Sequence, residues 1–250
     1  MHIVIRKTAV LGFSGLAFLA LAVSAKADLV VNGGFESSSA GAGQMDFNTT
    51  VTGWSTMSGY TFLFTPGSAD TTGANGQYGN LALWGPNNGS ANGLPATSPA
   101  GGNFIAMDGD FQTAPVTQTI NGLTPGQSYV VGFWWAGAQQ FGFDGATSDN
   151  LIVSLGAQSQ QTNPDPASPL NVENHGFSGW MYQTFTFTAS DSSEPLSFLA
   201  SSSPAVPPFV LLDGVTLNAT PEPGYVIPGV LMFAVMIGLA VVRSKNRVKA

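Results

Sequence analysis

Between Lys26 and Arg243 the chain carries neither lysine nor arginine, yet all 14 of its acidic residues fall within that span. The seven basic residues, Arg6, Lys7, Lys26, Arg243, Lys245, Arg247 and Lys249, are confined to the two ends. This void constrains the fold more than any other feature. No side-chain ion pair can form inside it unless His175, its single histidine, is charged. A carboxylate taken into the interior must find backbone N–H groups, a metal or a proton. The span carries a net charge near −14 before any cation binds. Nucleic-acid binding, which needs Lys and Arg against phosphates, is excluded. Phosphoryl transfer is disfavoured too, since no phosphate-cradling loop occurs. The chain has no cysteine, so the fold does without disulfides, and cysteine nucleophiles and Cys-ligated zinc are ruled out.

The basic ends have distinct orders. "MHIVIRK" is followed by the apolar run "TAVLGFSGLAFLALAV" and by "SAKAD", the layout of a secretory signal peptide cleaved between Ala27 and Asp28. At the other end, Tyr225 to Val242 is uncharged and as a helix would span about 27 Å, enough for a bilayer core. The basic residues that follow belong on the cytoplasmic side. The triplet Pro221-Glu222-Pro223 precedes this segment. The triplet, apolar segment and basic end together resemble the PEP-CTERM sorting signal. That resemblance implies a Gram-negative bacterium, an exosortase that removes the tail, and delivery to the cell surface or extracellular matrix. A permanent C-terminal anchor is the alternative. The expected organisation is a signal peptide over 1–27, a domain over 28–218 and a sorting signal over 219–250 with a transmembrane helix at 225–242.

The middle shows period-2 alternation between turn signals, the mark of an all-β domain. Strands are predicted at "FIAMD", on both sides of Pro125-Gly126 in "VTQTINGLTPGQSYVVGFWWA", at "DNLIVSLG", "WMYQTFTFTA", "PLSFLAS" and "PPFVLLDGVTL". Pro125-Gly126 suits the centre of a type II turn. In "YVVGFWW", Tyr129, Val131, Phe133 and Trp135 share one face, with Trp134 on the other. The stretches 85–102 and 158–176 read as long loops.

The ordered motifs "LVVNGGFE", Gly53-Trp54, "NFIAMDGD", "VTQTINGLTPGQSYVVGFWWA" and "LLDGVTL" resemble the galactose-binding-like jelly roll found in many carbohydrate-binding modules. The resemblance implies a β-sandwich of two antiparallel sheets, each with four or five strands, and first and last strands close together.

Alternation places Asp213 with Phe209, Leu211, Val215 and Leu217, a costly position without a basic partner. In the resembling modules, a Glu after the first strand and an Asp in the last share a structural calcium. Glu36 and Asp213 match those positions, although Gly214 stands where the family often has a second Asp. Otherwise a bulge at Asp213-Gly214 turns the carboxylate to water. Asp108 and Asp110 in "MDGD", and Asp144 and Asp149 in "DGATSD", are weaker metal candidates, and "DGD" is also an ordinary turn. Trp54, Trp84, Trp134 and Trp180 are candidates for stacking against sugar rings, each with a core role as the alternative. Catalysis has little support. A Ser-His-Asp triad would need His175, no G-x-S-x-G elbow occurs, and nothing marks a glycosidase carboxylate pair among the acids. The expectation is an exported, non-catalytic protein that binds or structures exopolysaccharide, meeting signal peptidase and exosortase during export. The alternatives are a membrane-anchored structural protein without glycan specificity and a carboxylate-dependent glycan-active enzyme.

Overall fold

The computed structural model describes residues 28–163, 165 and 168–220. The signal peptide, the Pro221-Glu222-Pro223 triplet and the transmembrane segment lie outside the described residues. Thirteen strands form two sheets, and no helix occurs among the described residues. They are β1 (Gly43–Gln44), β2 (Thr61–Phe64), β3 (Ala74–Gly76), β4 (Gly79–Leu81), β5 (Phe104–Asp108), β6 (Val116–Asn121), β7 (Ser128–Gln139), β8 (Thr147–Leu155), β9 (Gln158–Gln161), β10 (Leu170–Val172), β11 (Met181–Thr188), β12 (Ser193–Ser203) and β13 (Pro208–Ala219). The larger sheet has the order β11-β7-β13-β5-β2-β1-β3-β4. The smaller has the order β10-β8-β12-β6, with β9 also on β8.

The predicted strands form where the alternation places them. Gln127 N–H donates to the Thr124 carbonyl at 3.0 Å and Gly126 has φ +82°, as a type II turn between β6 and β7 requires. Inward residues of β7 (Tyr129, Val131, Phe133, Trp135) meet Leu151, Val153 and Leu155 of β8 and Leu196 and Phe198 of β12 in the core between the sheets.

Three expectations are corrected. The larger sheet has eight strands rather than four or five, because β1, β3 and β4, each only two or three residues long, extend its edge. One pairing, β1 with β3, is parallel. The stretch 158–176 contains β9 and β10. Side-chain amides help hold β9 in place: Gln160 Nε2 donates to Thr186 O at 2.7 Å, and Gln158 Nε2 donates to Thr188 O. A polar strand fastened this way has no apolar period to reveal it.

The outer face of the large sheet is half covered. Phe62, Phe64, Phe104, Ala106, Phe209 and Leu211 point outward into a second core, closed by Leu81, Leu83 and Leu94. The 85–102 loop forms part of this cover. Asp70 anchors it, accepting from Asn87 N–H at 2.9 Å, while Asn92 Nδ2 donates to the Trp84 and His175 carbonyls at 2.8 and 2.9 Å. The opening segment lies along β13: Leu29 N–H donates to Leu217 O at 3.1 Å, and Val215 N–H donates to Gly33 O at 2.9 Å. The start of the domain therefore adjoins its last strand.

Candidate functional site

Asp213 and Glu36 meet where the opening segment joins β13. The alternation fails here. A register shift between Asp213 and Thr216, with Gly214 at φ +59°, forms a β-bulge. Asp213 stays on the outer face with Phe209 and Leu211, whereas Val215 and Leu217 move to the inner core with Val210 and Leu212. The face predicted for Val215 and Leu217 is therefore corrected. The bulge does not expose the acid either, since Asp213 is 0% exposed. Ser98, brought in by the covering loop, donates its hydroxyl to Asp213 Oδ2, and Gly214 N–H donates to Oδ1 at 2.6 Å. Burial pushes the carboxyl up to about 7 and the negative charge of Glu36 adds to the rise, while the two hydrogen bonds favour the ionised form.

Glu36 is more exposed. Its Oε1 accepts from Asn103 N–H at 2.8 Å. A methyl group built on Gly34 would stand 3.8 Å from Asp213 Oδ1 and 3.9 Å from Glu36 Oε1, so the two carboxylates flank one glycine. Among the described residues no group of three or more His, Cys, Asp or Glu side chains gathers as a metal cluster. Any cation at this pair would draw its remaining ligands from hydroxyls, carbonyls and water, all hard oxygens that suit calcium.

Beyond the cover, the outer face of β11, β7 and β13 is open. Tyr182 pairs with Trp134 across β11 and β7, and Trp134 pairs with Asp213 across β7 and β13. The Trp134 and Tyr182 rings are 5.2 Å apart, and Tyr182 is 53% exposed. Gly132 makes room for it: a methyl group there would overlap the Tyr182 hydroxyl. Thr184 and Thr186 extend the same face on β11, with Thr216 and Asn218 across from them on β13. The result is an aromatic step beside rows of hydroxyl and amide groups. The sequence reading missed Tyr182, although it falls in phase with Thr184, Thr186 and Thr188 on the polar side of its strand.

The other tryptophans are placed differently. Trp54 is core, 4% exposed, with its ring 5.5 Å from Phe35 and 6.1 Å from Phe198. Its Nε1 donates to Asn32 O at 3.0 Å. It is thereby removed from the candidates. Trp180 is half-buried in the covering layer against Phe104 and Phe177. Trp84 is half-buried, with His175 stacked on it at 3.7 Å and Phe141 at 4.6 Å. His175 Nε2 lies 2.6 Å from Asp144 Oδ1, the one histidine–carboxylate contact among the described residues. It borders an open polar depression of about 510 Å³ with Ser90, Asn92, Asn171, Glu173 and Ser178. Ser90 Oγ donates to the His175 backbone carbonyl, so it does not form the serine–imidazole contact of a triad.

Among the described residues, the other candidate acids Asp108, Asp110, Asp144 and Asp149 form no group of three with further acids or histidine. Asp108 Oδ1 accepts from the N–H groups of Asp110 and Phe111, both at 2.8 Å, which is the turn alternative for "DGD". Asp144 is largely exposed, whereas Asp149 is buried between the sheets.

No protein-family model matches the chain, and no curated protein matches it. Solved structures do. TmCBM61, solved with beta-1,4-galactotriose, is 17% identical and aligns over 78% of this chain and 100% of its own, with a TM-score of 0.39. The CBM22-1 xylan-binding domain of Paenibacillus barcinonensis Xyn10C is 10% identical over 79% of this chain and 97% of its own, with a TM-score of 0.39. The Stig cyclase Fisc of Fischerella sp. TAU is 18% identical over 78% of this chain and 98% of its own, with a TM-score of 0.46.

Proposed function

We propose that this chain is an exported, non-catalytic glycan-binding protein with a galactose-binding-like jelly-roll domain. The observation that carries this reading is the open face of β11, β7 and β13. There Tyr182 stands beside Trp134 among threonine and asparagine side chains. Aromatic rings take the apolar faces of sugar rings, and hydroxyls and amides take their hydroxyl groups. The charge void favours a neutral polysaccharide, since an anionic one would be repelled by the acidic domain. Glu36 and Asp213 would hold a structural calcium ion. Bound there, calcium would supply the positive charge the domain lacks and tie its opening segment to β13.

The two ends are read as a signal peptide and an exosortase-processed PEP-CTERM signal. They carry the domain across the inner membrane to the cell surface or matrix of a Gram-negative bacterium, where exopolysaccharide is the partner.

Affinity electrophoresis through soluble neutral polysaccharides (glucan, mannan, galactan and xylan) tests the binding face. At least one should retard the wild-type domain. Tyr182→Ala should weaken that retardation about ten-fold or more without changing the melting temperature. Absence of retardation by any of them, or retardation indifferent to Tyr182→Ala, overturns the reading.

A further inference from the structure

A second exposed aromatic patch joins the β3–β4 hairpin to the loop after β5. Tyr78 is at the tip of the β3–β4 hairpin and Phe111 is in the loop after β5, and they are 62% and 64% exposed. Their ring centroids are 5.9 Å apart, and both rest on the buried Tyr60, at 5.7 and 6.3 Å. The patch is held from several sides. Phe111 N–H donates to Asp108 Oδ1 at 2.8 Å. Gln112 Nε2 donates to the Tyr78 hydroxyl at 2.9 Å and Gln77 Nε2 to Gln112 Oε1 at 2.7 Å. Two rings fixed in water and rimmed by two glutamine amides repeat the chemistry of the Trp134–Tyr182 face with different residues. Each residue keeps more than half of its surface in water although its ring is held in place, the character of a surface that contacts something outside the domain.

The patches stand on different parts of the large sheet. Trp134 lies opposite Asp213 of β13, and Tyr182 one strand further out on β11. The second patch rests on Tyr60, whose ring is 6.3 Å from that of Phe209, four residues before Asp213 on β13. At ~3.4 Å per residue that is about 14 Å along the strand, and β13 is itself removed from β11 by β7. The two patches share no residue.

We propose that Tyr78, Phe111, Gln77 and Gln112 form a second glycan-binding site, and that the domain cross-links two segments of neutral polysaccharide through two separate sites. This rests on the reading of the Trp134–Tyr182 face as a glycan site. It adds a role that one site cannot perform, the bridging of matrix strands, in which each engagement raises the effective concentration for the next. An acidic glycan is disfavoured at this site too, because Asp108 and Asp110 lie beside it and no basic residue does.

The test uses the full domain and whichever neutral polysaccharide retards it most, both in affinity electrophoresis and coupled to beads. Wild type should agglutinate the beads. The double variant Tyr78→Ala/Phe111→Ala should lose agglutination while still being retarded in the gel, because the other site remains. Tyr182→Ala should also lose agglutination and keep partial retardation. Agglutination unchanged in the double variant overturns the second site and leaves the first standing. Retardation abolished by the double variant and untouched by Tyr182→Ala overturns the two-site scheme and the Trp134–Tyr182 assignment together. A dimer seen by sedimentation without polysaccharide, and lost in the double variant, would assign the patch to self-association and overturn the proposal. Melting curves matching wild type confirm that each variant is folded, as the exposure of all three side chains leads us to expect.

Discussion

Replacing Asp149 with asparagine should make this protein more stable at neutral and alkaline pH. Asp149 points inward from β8 and is 1% exposed. It packs against β7 where Gly137 leaves room, since a methyl group on Gly137 would overlap Asp149 Oδ2. The hydroxyls of Ser202 and Thr147 are near enough to favour the ionised form, yet neither makes a well-formed hydrogen bond with the carboxylate. Burial dominates and raises the pKa from 3.8 to about 7. The folded value lies above the unfolded one, so the stabilising contribution is complete below pH 3.8 and is lost as pH rises through 7. At ~1.4 kcal/mol per unit over that interval, the loss is between about 4 and 5 kcal/mol. The side chain is enclosed, so solvent screening takes little from this figure. Asparagine has nearly the same shape and no charge to desolvate. Urea unfolding at pH 5, 6, 7 and 8, in chelator, is the assay. Wild type should lose stability steadily from pH 5 to 7, the reverse of ordinary acid denaturation. Asp149→Asn should flatten most of that slope and exceed wild type by a few kcal/mol at pH 8. Asp213, raised in the same direction, leaves a residual slope in the variant. Parallel curves for the two proteins, or a wild type less stable at pH 5 than at pH 8, would refute the reasoning.

Two further outcomes are expected. Calcium at 100 times its dissociation constant should stabilise the wild type by roughly 2.7 kcal/mol over chelator, and Asp213→Asn should abolish that response; identical wild-type melting curves in calcium and chelator would remove the site. Mass spectrometry of mature protein should find an N-terminus at Asp28 and no residues beyond the Pro-Glu-Pro region, whereas a mature species retaining Arg243 to Ala250 would point to a permanent anchor.

By itself the sequence determined what could be decided locally. Alternation in "YVVGFWW" sets Tyr129, Val131, Phe133 and Trp135 inward and Trp134 outward, because successive side chains of a strand must point to opposite faces. Pro125-Gly126 fixes its turn through the two residues' own backbone preferences. The lack of Lys and Arg determined that buried acids such as Asp149 and Asp213 have no basic partner. Tertiary structure decided what depends on distant segments. The strands β1, β3 and β4 are too short and polar to show a period and exist through pairing with neighbours. Trp54 and Trp134 are equally apolar in sequence; Trp54 fell between Phe35 and Phe198, while Trp134 stayed half-buried beside Tyr182 on the outer face. At Asp213 the Asp-Gly pair signals a bulge, and a bulge alone would turn the carboxylate to solvent. Ser98, 115 positions away in a loop with almost no apolar signal, covers it. Burial is a property of whatever packs over a residue, and for Asp213 that was settled by a segment no local pattern connects to it.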